Sequence, residues 1–181
     1  MALIGSDGVV AYGVVMYVNY IATGIFNGYS TGIAPVFSYN LGAGNQAEIK
    51  STFRKSLVVI AGFSVFLVAV GLLFARGLAA IFVSYDENLM SLTTEAIRLY
   101  GLSFLLCGFN IFAIAYFAAL SEGLVSSALS LPRTLVFQLL SVIVLPIVIG
   151  SNGIWLSAIV AEILTLVVTV FLLFQKRSTM E

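Results

Sequence analysis

Apolar runs dominate the pattern of this chain. Between Val9 and Leu41 no residue is charged, and four further apolar runs occupy 57–75, 99–120, 134–149 and 153–174. A helix needs about 20 predominantly apolar residues to cross a bilayer. The pattern predicts five transmembrane helices, over 9–39, 57–75, 99–120, 134–149 and 153–174. The runs are continuous rather than alternating in segments of about ten residues, so they do not read as strands of a membrane β-barrel. The junctions "SYDENLMSLTTE" (84–95), "SEGLVSSALSLPR" (121–133) and "GSNG" (150–153) are short, and leave little room for a soluble domain. The expected fold class is all-α: a polytopic membrane helix bundle forming a single membrane domain over 1–181.

Composition sharpens this picture. The 181 residues are 61% hydrophobic and 9% charged, with mean hydropathy +1.12, whereas a soluble domain is about a quarter charged. Eight basic and eight acidic residues cancel, which argues against nucleic acid as a partner. The chain has no His and only Cys107 as a thiol, so disulfides, a metal centre and Cys/His catalysis have no support. An intramembrane enzyme is disfavoured too, for lack of a paired acid or a nucleophile–base pair. The start "MALIGSDG" lacks a basic segment, and no cleavable signal peptide is expected.

The basic residues orient the spans. Lys50, Arg54 and Lys55 follow the first span, Arg133 falls between the third and fourth, and Lys176 and Arg177 follow the fifth. Only Arg76 and Arg98 fall on the opposite side. The positive-inside rule then places the C-terminus and the stretch "FSYNLGAGN" (37–45) in the cytoplasm. Asp86, Glu87 and Glu95 fall outside.

Within the spans, polar and small residues mark the faces that meet protein or water. Gly24, Gly28 and Gly32 form a doubled G-x-x-x-G, a spacing that lets a neighbouring helix approach closely. Beside it Tyr12, Met16, Asn19, Thr23, Asn27 and Ser30 form a polar and aromatic line. Amides at membrane depth avoid lipid, so Asn19 and Asn27 either cross-link helices or line a water-filled cavity. Tyr100, Ser103, Cys107 and Asn110 repeat the theme in the third span, and Thr134, Gln138 and Ser141 in the fourth. Pro146 predicts a kink there, either static or a hinge. Glu162 is the only ionisable residue deep in a span, about 14 Å along the fifth helix. A charge there costs on the order of 3 kcal/mol. Glu162 is therefore either a functional group or a neutral acid hydrogen-bonded to a neighbouring helix.

Gly42, Gly44 and Ala47 match G-x-G-x-x-[G/A], but a dinucleotide site needs a preceding soluble strand and an acid about 20 residues on. Here a membrane helix precedes and "VVIAGFSVF" follows. The stretch reads instead as a helix terminus, with Asn40, Gly42 and Gly44 tolerating left-handed backbone. Lys50, Arg54 and Lys55 then open an amphipathic segment beside anionic headgroups.

"GIAPVFSYNLGAGNQAEIKSTFRKSL" (32–57) resembles the segment after the eighth helix of MATE (multidrug and toxic compound extrusion) transporters. "GIWLSAIVAEILTLVVTVFLL" (153–173) resembles that family's last helix. "YDEN", "GFNIFAIAYFAALSEG" and "LPRTLVFQLL" fall between them in family order. The resemblance implies helices eight to twelve of a twelve-helix, two-lobe antiporter that expels organic cations and other amphiphiles in exchange for H⁺ or Na⁺. It implies no cofactor beyond the coupling ion. It further implies a bacterial cytoplasmic membrane as location, and membrane lipid, a small amphiphilic or cationic substrate and the missing N-terminal lobe as partners. On this reading the chain is a fragment, incompetent for transport alone. The helix at 99–120 lacks the acid that Na⁺-coupled relatives carry there, so the coupling ion stays open. Cavity-lining candidates are Asn19, Tyr20, Asn27 and Asn110, with Glu162 as the ionisable intramembrane candidate. A lipid-linked saccharide flippase of the same superfamily is the alternative, as is a non-transporting scaffold. Flippases generally need cations within the cavity, and the expected spans place none of the eight basic residues mid-span.

Overall fold

The long apolar runs are all helical. A computed structural model of the protein describes the backbone of residues 5–179 and the side chains of residues 5–174. The helices are α1 Gly5–Gly42, α2 Gln46–Leu73, α3 Ala75–Val83, α4 Glu87–Gly101, α5 Phe104–Ala119, α6 Gly123–Leu131, α7 Gln138–Ile149 and α8 Asn152–Thr179. A π-helical turn over Pro132–Phe137 joins α6 to α7, and no strand occurs among the described residues. Gly5–Gly42, Gln46–Leu73, Gly123–Ile149 and Asn152–Phe174 are each long and apolar enough to span a membrane. α4 and α5 together make a fifth span, bent by 47°. The all-α polytopic bundle is thus as expected.

The boundaries differ from the sequence reading in three places, each for a local reason. The second span begins at Gln46 rather than 57, because Asn45 caps it: its side chain accepts from the Glu48 N–H at 3.1 Å. The basic segment is therefore the first turns of the helix itself. The third span begins at Glu87 rather than 99, because Asp86 caps it and accepts from the Asn88 and Leu89 N–H groups at 2.8 and 3.1 Å. It is broken near Gly101–Ser103, where Ser103 Oγ donates to the Tyr100 carbonyl at 2.7 Å and the helix is interrupted. The fourth span begins at Gly123 rather than 134, so the Ser-rich "loop" is helix. Its serines find acceptors: Ser126 Oγ donates to the Ile114 carbonyl of α5 at 3.0 Å. Pro132 has no N–H for the carbonyl of Ala128, and the helix widens into a π turn instead of ending.

Between α1 and α2 the chain reverses at Gly44, whose φ of +66° is the left-handed backbone expected of it. Asn40 does not share that role. It stays in α1, buried, and its Nδ2 donates back to the Val36 carbonyl at 2.8 Å.

Two clusters of buried side chains stack along the bundle. One gathers Val14, Val15, Ala79, Leu89, Ile97 and Trp155 from α1, α3, α4 and the start of α8. The other gathers Phe26, Phe37, Ile60, Phe104 and Phe112 from α1, α2 and α5. Tyr116 meets Phe37 edge-on at 5.0 Å and lies 4.7 Å from Phe53, extending the second cluster. The close helix approach predicted at Gly24, Gly28 and Gly32 is not made among the described residues: a Cβ at any of them would meet nothing within 4 Å. It occurs instead between Gly71 of α2 and Gly101 at the end of α4, where an added Cβ would lie 3.8–3.9 Å from the opposite Cα.

Candidate functional site

α8 presents one face to the bundle. Trp155, Ala158, Ala161, Thr165 and Thr169 are buried at three- and four-residue steps, and Glu162 falls on that face. Burying a lone carboxylate there would be costly, but Glu162 is not alone. The π turn carries Arg133 about 15 Å along the fourth span from Gly123, and its guanidinium reaches across to α8. Arg133 Nη2 lies 2.6 Å from Glu162 Oε1, and Nε lies 3.2 Å from Oε2. The two side chains are 20% and 12% exposed, so this forked pair is largely withdrawn from solvent and lipid.

The rest of the shell comes from α5 and α8. Asn110, fully buried, donates through Nδ2 to the Glu162 carboxylate at 2.7 Å and to the Glu162 carbonyl at 2.9 Å. Its Oδ1 accepts from Thr169 Oγ1 at 3.3 Å. Arg133 Nη2 also donates to Cys107 Sγ at 3.3 Å. Each carboxylate oxygen thus has a charge-assisted donor. The group ties α5, the π turn and α8 together while its formal charges cancel.

Sequence reasoning singled out Glu162, Asn110 and Cys107, and the structure brings those three together. It missed Arg133, counted as a loop cation, and Thr169. A cation does lie mid-span, which corrects the statement that none does and leaves five orienting basic residues against two. The side chains of two of those five, Lys176 and Arg177, lie outside the described residues. Thr169 could have been found from its spacing, seven residues after Glu162 on the same helical face. Arg133 could not, because its partner lies 29 residues away and its neighbours Ser130 and Pro132 read as loop.

Asn19, Tyr20 and Asn27 sit elsewhere, on α1. Tyr20 is 70% exposed, Asn19 is half-buried, and Asn27 is exposed together with Gly24, Gly28 and Thr31. Their bonds are local: Asn27 Nδ2 donates to the Thr23 carbonyl at 2.9 Å, and Thr23 Oγ1 to the Asn19 carbonyl at 2.8 Å. The Asn27 amide oxygen has no hydrogen-bond partner among the described residues. The earlier polar line does not stay on one face, since Ser30 turns into the bundle and is buried.

A family model, MatE, matches residues 1–144. No curated protein and no solved structure matches the chain. The family match covers most of the sequence, and the chain belongs to the MatE family of membrane transporters.

Proposed function

We propose that this chain contributes one lobe of a secondary active antiporter that exports drugs or other organic cations in exchange for H⁺ or Na⁺. The observation that carries the reading is the uncovered polar face of α1. Tyr20, Asn27 and Thr31 lie beside the notch of Gly24 and Gly28, and among the described residues no helix closes over them. An amide at membrane depth facing hydrocarbon costs several kcal/mol, so this face belongs against water or protein. A water-filled cavity between this lobe and a second helical lobe satisfies it, and two bodies rocking about such a cavity give alternating access. The aromatic and amide side chains there suit a flat or amphiphilic cation. In this reading the protein sits in the bacterial cytoplasmic membrane with the C-terminus in the cytoplasm and needs no bound cofactor.

The flippase alternative loses its best feature on inspection. Arg133, the cation turned into the bundle within the fourth span, is engaged by Glu162 on two nitrogens, and so is not free for a pyrophosphate head group. The test uses inside-out vesicles from cells expressing the full gene product, with a fluorescent cationic dye added outside them. An imposed H⁺ or Na⁺ gradient should drive dye uptake, and Asn27→Leu should abolish it at equal expression. Movement of a lipid-linked saccharide without dye transport, or unaltered transport by the variant, overturns the reading.

A further inference from the structure

At the end of the bundle where α1 turns into α2, a groove of about 680 Å³ opens between α2, the end of α5 and the end of α8. Its walls change character along the bundle axis. Gln46, Lys50 and Arg54 of α2 and Glu122, just after α5, stand toward the rim. Leu57, Leu120, Val170 and Phe174 form the apolar part below. Gln46 to Leu57 spans about 16 Å of helix, close to the roughly 15 Å of one hydrocarbon leaflet. The groove is apolar along its length, with Leu41, Ile49 and Phe53 beside the polar residues, and its charged side chains stand toward one end of it, as a headgroup stands at one end of its acyl chains.

Its two cations are also unmatched. Lys50 and Arg54 lie one turn apart on one face, both exposed, and neither has an ion-pair partner among the described residues. Long cationic side chains below the rim extend upward to the headgroup level. Two of them there would bracket a phosphodiester, with the acyl chains lying along Leu57 and Leu120. Glu122 on the facing wall disfavours a second anion. The structure assigns this groove as a seat for one anionic phospholipid, held by Lys50 and Arg54. The assignment is independent of the transport reading above.

Native mass spectrometry of the purified chain in mild detergent tests it. The chain is titrated with phosphatidylglycerol or with phosphatidylcholine carrying the same acyl chains. One phosphatidylglycerol should bind with about 30-fold preference, the scale expected of two interfacial cations. Lys50→Gln with Arg54→Gln should remove the preference, whereas Lys55→Gln, an exposed cation outside the groove, should keep it. Leu120→Trp fills the apolar part and should weaken both lipids at least fivefold while leaving the cations in place. Equal binding of the two lipids overturns the assignment, as does equal loss in Lys55→Gln, which would mean diffuse surface charge. Full displacement by soluble glycerol phosphate, no effect of Leu120→Trp, or a dimer that blocks lipid binding would each overturn it as well.

Discussion

Removing one charge of the Arg133–Glu162 pair should destabilise the chain far more than removing both. Arg133→Met leaves the carboxylate with neutral donors such as Asn110 and no cation beside it. It loses contacts of 2.6 and 3.2 Å made at 20% and 12% side-chain exposure. Glu162→Gln leaves a buried guanidinium facing an amide. Each single change leaves an uncompensated charge, a loss of about 3–5 kcal/mol in buried pairs. The double variant leaves no charge, and its Gln keeps a carbonyl to accept from Asn110, so it should fall within about 1 kcal/mol of the parent. The coupling energy, the two single losses less the double, is then on the order of 5–9 kcal/mol, well above the ~0.6 kcal/mol average of neutral interhelical hydrogen bonds in membranes. The assay is reversible unfolding in mixed micelles by a denaturing-detergent titration followed by helical circular dichroism, on all four members of the cycle. Single variants costing under about 1 kcal/mol, or a double variant equal to the sum of the singles, would refute the buried-pair argument.

Three further outcomes follow from packing. In Gly108→Ala the new Cβ falls against the Phe26 ring, and Phe26 is 1% exposed with no room to retreat. Overpacking there should cost about 1–3 kcal/mol in the same titration. A Cβ at Gly28 meets nothing within 4 Å among the described residues, so the stability of Gly28→Leu should not fall, and better helix propensity could raise it by up to about 1 kcal/mol. Dye transport by the full gene product should nevertheless be lost, because the side chain fills the proposed cavity face. Trp155, the only Trp, is 1% exposed. Its emission should be blue-shifted and protected from acrylamide, turning red and quenchable only on unfolding.

What could be read from the sequence was whatever one helix carries by itself. Glu162 stood out because an acid within an apolar run has no local excuse. Gly44 stood out because only a turn after a long helix needs its backbone freedom. The partners of these features were not legible, since they depend on which helices become neighbours. Asn110 and Glu162 are 52 residues apart, and nothing local ties them. Arg133 was hidden by its context: serines and a proline spell a loop in water, yet here Ser126 bonds across to α5 and the helix absorbs Pro132 as a π turn. The G-x-x-x-G of α1 was legible as a notch, but a notch does not say what fills it. The crossing that this chain makes uses Gly71 and Gly101, which no repeat announces.

The pair and the α1 face bear on each other through the membrane field. Moving one elementary charge across 100 mV changes the energy by about 2.3 kcal/mol, so a rocking lobe with a net internal charge would be biased by the potential at every cycle. Arg133 and Glu162 lie within 2.6 Å of each other and travel as a neutral unit whenever α5, the π turn and α8 move as one body. A buried pair contributes little net stability compared with apolar packing of the same volume, so stability alone does not account for it. Fixing the register of three helices while adding no net charge does. Under the proposed antiport, voltage would then act on what occupies the space beside Tyr20 and Asn27, not on the lobe that encloses it.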